Sequence, residues 1–345
     1  MDLSTRNTSI QLGESLEQIQ VPQTHPISQL PPEIISEIFL HFLPAYPERP
    51  EHPGLSSPLL LCAICREWRA IAIGTPQLWR AVRMSASDDS RAEQLELLSA
   101  WLSYSGSCPL SFNIPFRSYS WRNTLESQLL QMVVPHSGRW EHADLCLTFE
   151  NLHFLQCDMP LLRRLTFGLN QAPPLDGPPV NLFDCAPQLK DVVLTTSFEK
   201  SIMNLPWHQL THLQTHYLYL EECVEILRDA VSLVCCDFGV CGTEELIPIP
   251  TLPVHHHLTR LALQLTENTS YYLALSLLPL FENLTTPALH SLHVYEPGIT
   301  LRSLEAFFSR SRCSLQELRV DESSMAENVY RDAFPFVNRI IVEEP

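Results

Sequence analysis

The residue types best suited to chemistry in this chain are cysteine and histidine. Cys62 and Cys65 form a C-x-x-C, the spacing of a zinc knuckle or a redox pair. Neither a second pair nor a histidine follows at ligand spacing, so both thiols are expected in a helical core. Cys235, Cys236 and Cys241 precede His255, His256 and His257. Cys236 falls on a core position of the repeat described below, however, and a loop histidine triplet is ordinarily solvated. His208, His212 and His216 would share one face of a helix and could ligate a metal there. The repeat register puts them on a strand instead, with His212 and His216 side by side on its exposed face. Their chemistry then reduces to a pH response near about pH 6 to 7. G-x-S-x-G, the phosphate-cradling G-x-x-x-x-G-K and H-E-x-x-H are all missing. The expectation is a protein that is not an enzyme and needs no metal or other cofactor.

Composition narrows the partners. Across 345 residues, 22 Lys plus Arg against 39 Asp plus Glu leave a net charge of −17. That surplus repels phosphate backbones and anionic lipid, which argues against nucleic acid and membrane as partners. The 28 prolines against 10 glycines indicate short elements ended by rigid breaks. Eleven cysteines, an odd number in a chain large enough to need no staples, suit reduced thiols. The first twenty residues lack the apolar core of a signal peptide. A cytoplasmic or nuclear location is therefore expected, and the triplets at Asn7, Asn268 and Asn283 are chance glycosylation matches. The apolar run from Tyr271 to Phe281 is too short to cross a bilayer, contains Pro279, and is predicted as a buried helix. Trp101, Trp121, Trp140 and Trp207 suit core packing better than a stacking platform for bases.

Three segments follow from the pattern. Residues 1–26 are polar, with Ile10, Leu12, Leu16 and Ile19 spaced for a short amphipathic helix. In residues 27–83, Pro31 and Pro32 suit a helix start and Glu33 favours its positive end. Ile34, Ile35, Ile38, Phe39 and Phe42 then fall at helical spacing. A second helix carries Leu61, Ile64, Cys65, Trp68, Ile71 and Ala72 and stops at Gly74 and Pro76. Between them, the five prolines of Pro44 to Pro58 make a stiff loop. Two helices with apolar faces this wide cannot close a core by themselves and need a partner surface.

Residues 84–345 repeat a unit L-x-x-L-x-L. It reads at His142-Leu145-Leu147, Leu162-Leu165-Phe167, Leu189-Val192-Leu194, Leu210-Leu213-Thr215 and Leu233-Cys236-Phe238. It continues at Leu258-Leu261-Leu263, Leu289-Leu292-Val294, Leu315-Leu318-Val320 and Val337-Ile340-Val342. Looser copies precede these at Trp79-Val82-Met84 and Leu110-Phe112-Ile114, each followed by a helical stretch. Spacings of this kind belong to leucine-rich repeats. The predicted fold is an α/β solenoid: all-α helices at the N-terminus, then a right-handed coil of strand-then-helix units with a curved parallel sheet. At about 4.8 Å per strand, eleven strands span on the order of 50 Å.

The stretch ISQLPPEIISEIFLHFLP, with LLLCAICREWRAIAIGTPQLWRAV after the loop, resembles an F-box. The matching residues are Leu30, Pro31, Glu33, Ile38 and Phe39, then Cys65, Arg66, Trp68, Pro76, Leu78 and Trp79. With the phrases HSGRWEHADLCL, PLLRRLTFG and LPWHQLTHL, the whole chain is similar to the divergent leucine-rich-repeat F-box proteins expanded in mushroom-forming fungi. The resemblance implies a substrate receptor of a ubiquitin ligase, docked on a Skp adaptor and through it on a cullin, with the repeats holding a protein target. The implied adaptor-binding face is Leu30, Pro31, Ile34, Ile38, Leu43, Leu61, Cys65, Trp68 and Ile71. The chain departs from the family in its long Pro44–Pro58 loop and in lacking a regular Asn after each strand. An alternative is a repeat scaffold without a ligase role, its helices capping the end of the solenoid.

Alternation along each repeat strand sends the residues beside the core positions to the open face. Those expected to meet a target are Arg164, Asp191, His212, His216, Asp237, Arg260, His293, Tyr295, Glu317, Arg319 and Asp321. Asp144, Thr148, Thr166, Thr195, Gln214, Gln264, Ser291, Arg339 and Glu343 complete the face. Mixed charge of this kind suits a specific protein partner better than a polyanion.

Overall fold

A computed structural model describes residues 26–52, 54–84, 91–114, 124–170, 179–196, 198–241, 251–265, 277–296 and 299–344. The helix expected around Ile10 to Ile19, Trp121, and most of the apolar run from Tyr271 lie outside them.

Helix α1 (Pro32–Phe42) starts on Pro31 and Pro32, as their missing donors favour, and ends at an extended Leu43 before Pro44. Ile35 and Phe39 are buried on one side of it. The expected second helix is two: α2 (Pro58–Ile64) and α3 (Arg66–Ile73). Cys65 breaks them because it is extended, and its Sγ accepts a bond from the Trp68 N–H, which caps α3. Its thiol is exposed rather than in a helical core. The Gly74 N–H closes α3 on the Ala70 carbonyl, and a 3-10 turn, Pro76–Trp79, follows. There the Trp79 indole donates to the Ala72 carbonyl at 2.8 Å, and its ring meets Trp101 edge-on at 5.0 Å.

The strands in chain order are β1 (Ala81–Arg83), β2 (Leu110–Ile114), β3 (Trp140–Leu147), β4 (Arg164–Leu169), β5 (Val180–Asn181), β6 (Asp191–Leu194) and β7 (Met203–Asn204). Then come β8 (His212–Tyr219), β9 (Cys235–Cys241), β10 (Arg260–Leu265), β11 (Ser291–Tyr295), β12 (Glu317–Asp321) and β13 (Arg339–Val342). Eleven of them form one parallel sheet in which each strand bonds to the next in chain order, while β5 and β7 pair only with each other. The chain is thus mixed α/β around a single large parallel sheet.

The register explains the repeat. Val82, Phe112, Ala143, Leu165, Val192, Leu213, Cys236, Leu261, Leu292, Leu318 and Ile340 lie in one row across all eleven strands. Every one of them is buried. A second inward row runs from Ile114 and Leu145 through Phe167, Leu194 and Thr215 to Val320 and Val342. One unit was misplaced by the sequence pattern. Ala143, not Leu145, pairs with Leu165, so the third unit begins at Trp140 rather than His142. Trp140 is fully buried, stacks edge-on against Phe112 at 4.9 Å and donates its indole proton to the Val133 carbonyl. A tryptophan can fill the first leucine position, and a slip of two residues leaves inward and outward faces unchanged.

Helices α4 (Arg91–Tyr104) and α5 (Thr124–Val133) lead into β2 and β3. Helices α6 (Leu220–Asp229), α7 (Leu278–Asn283), α8 (Leu301–Ser311) and α9 (Glu327–Ala333) serve later units. Not every unit has a helix. A 3-10 turn, Phe149–Leu155, follows β3, and the next two connections carry β5 and β7. Strand β5 opens directly after Pro179, which offers no backbone donor to a helix. A single apolar cluster runs from Ile35 and Phe39 of α1 through to Ile340 of β13.

Candidate interaction surfaces

Helix α1 is apolar on both sides. Opposite its buried residues, Ile34, Ile38 and Phe42 are 50%, 42% and 40% exposed, and Leu30 before the helix is 38% exposed. At i, i+4 spacing these three make a stripe along one face. Pro31 is exposed beside it, and Leu43, Trp68 and Ile71 are half-buried, with the Trp68 ring 4.9 Å from Phe39. Leu61 corrects the expected docking face. At 3% exposure it belongs to the core and supports the helices from behind. Leu60 and Ile64 of α2, both exposed, were missed there; so was Phe42, one turn beyond Ile38.

The proline-rich loop does not merely connect. The Tyr46 hydroxyl donates to Glu141 Oε2 at 2.7 Å, its ring meets His142 edge-on, and the Arg80 guanidinium lies 4.1 Å above it. Arg49 Nε donates to Ser111 Oγ at 2.9 Å, and its Nη1 is 3.5 Å from Asp144 Oδ2. Ser111 Oγ donates in turn to the Pro47 carbonyl at 2.8 Å. Glu51 bridges Arg83 of the edge strand β1 in parallel fashion. The loop therefore lies across the open face of β1, β2 and β3. Burial pushes the Arg49 guanidinium below its ordinary pKa, and burial with the Glu141 bond raises that of Tyr46. Asp144, expected on the open face for a target, is occupied by the chain itself. Thr148, expected there too, is buried: its amide and hydroxyl both donate to Glu126 Oε1.

Beyond the loop the open face is accessible. Arg164, Asp191, His212, Cys235, Arg260, Ser291, Glu317 and Arg339 share one row from β4 to β13. Asp237, His293 and Arg319 stand in the next row, and Tyr295 and Asp321 pair in the one after. Much of this face is knitted together. Arg164 lies 3.5 Å from Asp191, and Arg339 lies 3.1 Å from Glu317. Asp321 is met by His293 Nε2 at 2.6 Å and by Arg319 Nε at 3.0 Å, and Arg319 also reaches Glu343 at 2.6 Å. Gln264 lies 3.1 Å from His293 Nδ1, and the Tyr295 hydroxyl donates to Glu322. His216 is exposed next to a bulge in β8, where Gly239 of β9 approaches its carbonyl so closely that a Cβ would stand 2.3 Å away.

A depression of about 350 Å³ opens around Arg164, Asp191, His212, Gln214, Asp237 and Arg260. Burial raises the pKa of Asp237 from its ordinary value, against the pull of Arg260, His293 and His216. Among the described residues no group of three or more His, Cys, Asp or Glu is arranged to hold a metal. Burial holds the Cys223 and Cys236 thiols well above their ordinary pKa, which makes them unreactive. Among the described residues no helix is long and apolar enough to cross a membrane.

Neither a protein-family model nor a curated protein matches the chain.

Proposed function

We propose that the chain is the substrate receptor of a Skp–cullin–F-box ubiquitin ligase, its helices docking on the adaptor and its sheet holding a protein target. The reading treats residues 27–83 as an F-box and the eleven-stranded sheet as a leucine-rich-repeat solenoid. The observation that carries it is the stripe of Ile34, Ile38 and Phe42, left open while Ile35 and Phe39 anchor the same helix. Large aliphatic side chains left half in water along one face suit a partner subunit. The chain performs no chemistry. It holds the target near a ubiquitin-carrying enzyme, which raises the effective concentration of the target's lysines.

Pull-down with a Skp adaptor tests this, comparing wild type with Leu30→Ala plus Pro31→Ala. Losing a buried leucine contact costs roughly 1.5 to 3 kcal/mol of binding. Capture by wild type and weak capture by the variant are expected; equal capture of both, or none by wild type, sinks the reading.

The scaffold alternative draws on the apolar cluster shared between the helices and the sheet, and on the loop over β1–β3. On this alternative the helices and their loop serve as a cover for the first strands. Covering and docking use opposite sides of α1, so a ubiquitination assay separates the two. Adaptor binding with no modification of captured proteins favours the scaffold.

A further inference from the structure

The open face carries the same arrangement twice, once filled and once open. On β2 and β3, Asn113 stands directly beside Asp144, and its amide donates to Asp144 Oδ2 at 2.6 Å. Arg49 of the loop completes that pair, one arm of its guanidinium toward Asp144 and its Nε on Ser111. On β8 and β9, Gln214 stands directly beside Asp237 in the same sheet row, again an amide next to an acid. His212 occupies on β8 the row position that Ser111 occupies on β2. Arg83 and Arg164 surround the filled site, and Arg164 and Arg260 flank the open one. Neighbouring arginines therefore do not keep a guanidinium from such an acid.

The two sites differ in what reaches the acid: Asn113 and Arg49 both meet Asp144, whereas Gln214 stands beside Asp237 without bonding to it. Other acids of this face have partners: Asp321 is met by His293 and Arg319, and Asp191 lies 3.5 Å from Arg164. Asp237 is half-buried beneath the depression and has no hydrogen bond or ion pair within 4 Å among the described residues. A desolvated carboxylate with unfilled lone pairs, beside a cavity wide enough for one side chain, is built to accept donors.

We propose that the depression at Asp237 receives an arginine side chain from an extended segment of the target, as Asp144 receives Arg49 of the chain's own loop. The inference rests on the receptor reading and supplies the chemistry the receptor reads. Arginine fits better than lysine because the fork can span Asp237 and an acceptor on β8, as Arg49 spans Asp144 and Ser111.

Selection of a displayed library of unstructured peptides on the full-length protein tests it. Arginine should recur at one position of the selected peptides. A selected peptide resynthesised with citrulline there, or wild-type peptide offered to Asp237→Asn, should bind about ten-fold more weakly. Thermal melts of the variant should match wild type. Peptides selected without a fixed arginine, equal binding of lysine and arginine versions, undiminished binding to Asp237→Asn, or no selected peptide at all would each overturn the proposal. Skp adaptor pull-down of the same Asp237→Asn protein runs alongside: retained capture confines a failure to the Asp237 site, whereas no capture by wild type removes the receptor reading itself.

Discussion

Replacing Arg49 with methionine keeps most of the apolar stem and removes the guanidinium that pins the loop to the sheet. The lost contacts are the 2.9 Å bond to Ser111 and the 3.5 Å approach to Asp144. A hydrogen bond to a charged group contributes about 1.5 to 3 kcal/mol when well formed, so the first sits near the lower end and the longer second contact well below it. Two effects subtract. The guanidinium is largely desolvated, with its side chain 16% exposed, and it stands near Arg83 and Arg164. Asp144 keeps the Asn113 amide, so it is not left bare. The net loss expected is about 1.5 kcal/mol, roughly a ten-fold change in the folding equilibrium. Urea unfolding of Arg49→Met, Asp144→Asn and the double variant measures it, with a coupling energy of about 0.5 to 1 kcal/mol between the two sites. A single variant within about 0.3 kcal/mol of wild type, or additive losses, would show that the loop does not hold the sheet through this pair.

Gly239→Ala should lose about 3 kcal/mol or more in the same assay, because its Cβ would meet the His216 carbonyl, a backbone atom of the neighbouring strand, at 2.3 Å. A neutral outcome would mean that the bulge of β8 yields easily. Glu222 offers a pH test. Burial raises its pKa from 4.5 to about 7, although the amides of Tyr219 and Lys200 donate to it. Folded protein thus binds this proton more tightly than unfolded protein, so stability falls as pH rises from 4.5 to about 7 and levels off above. Glu222→Gln should flatten that slope by an amount on the order of 1 kcal/mol, read from unfolding curves across the window. An unchanged slope places the dependence elsewhere.

The repeat was legible because its signal is redundant. Each inward position recurs on strand after strand, so one substitution such as Cys236 or Thr215 does not erase the row. The third unit was misread for the same reason: Trp140 is not leucine, and His142-Leu145-Leu147 copies the template two residues along. Cys65 was read as helix interior because the apolar spacing runs straight through it, whereas its extended backbone splits α2 from α3. The stripe on α1 was partly legible. Period alone identifies apolar positions but does not say which of two apolar sides the rest of the molecule covers, so the expected face includes the buried Leu61 of α2 and omits the exposed Phe42 of α1.

Local patterning in the amino-acid chain determined the strand count of the main sheet, its inward rows and the helical nature of residues 32–42 and 58–73, since each depends on side chains a few positions apart. Tertiary structure decided what those elements present. The pairing of Tyr46 and Arg49 with Glu141, Ser111 and Asp144 spans 62 to 95 residues, a separation that no periodicity encodes. That long-range pairing, and not any local propensity, fills Asp144 and leaves Asp237 open, because a carboxylate's availability depends on which distant group folds onto it.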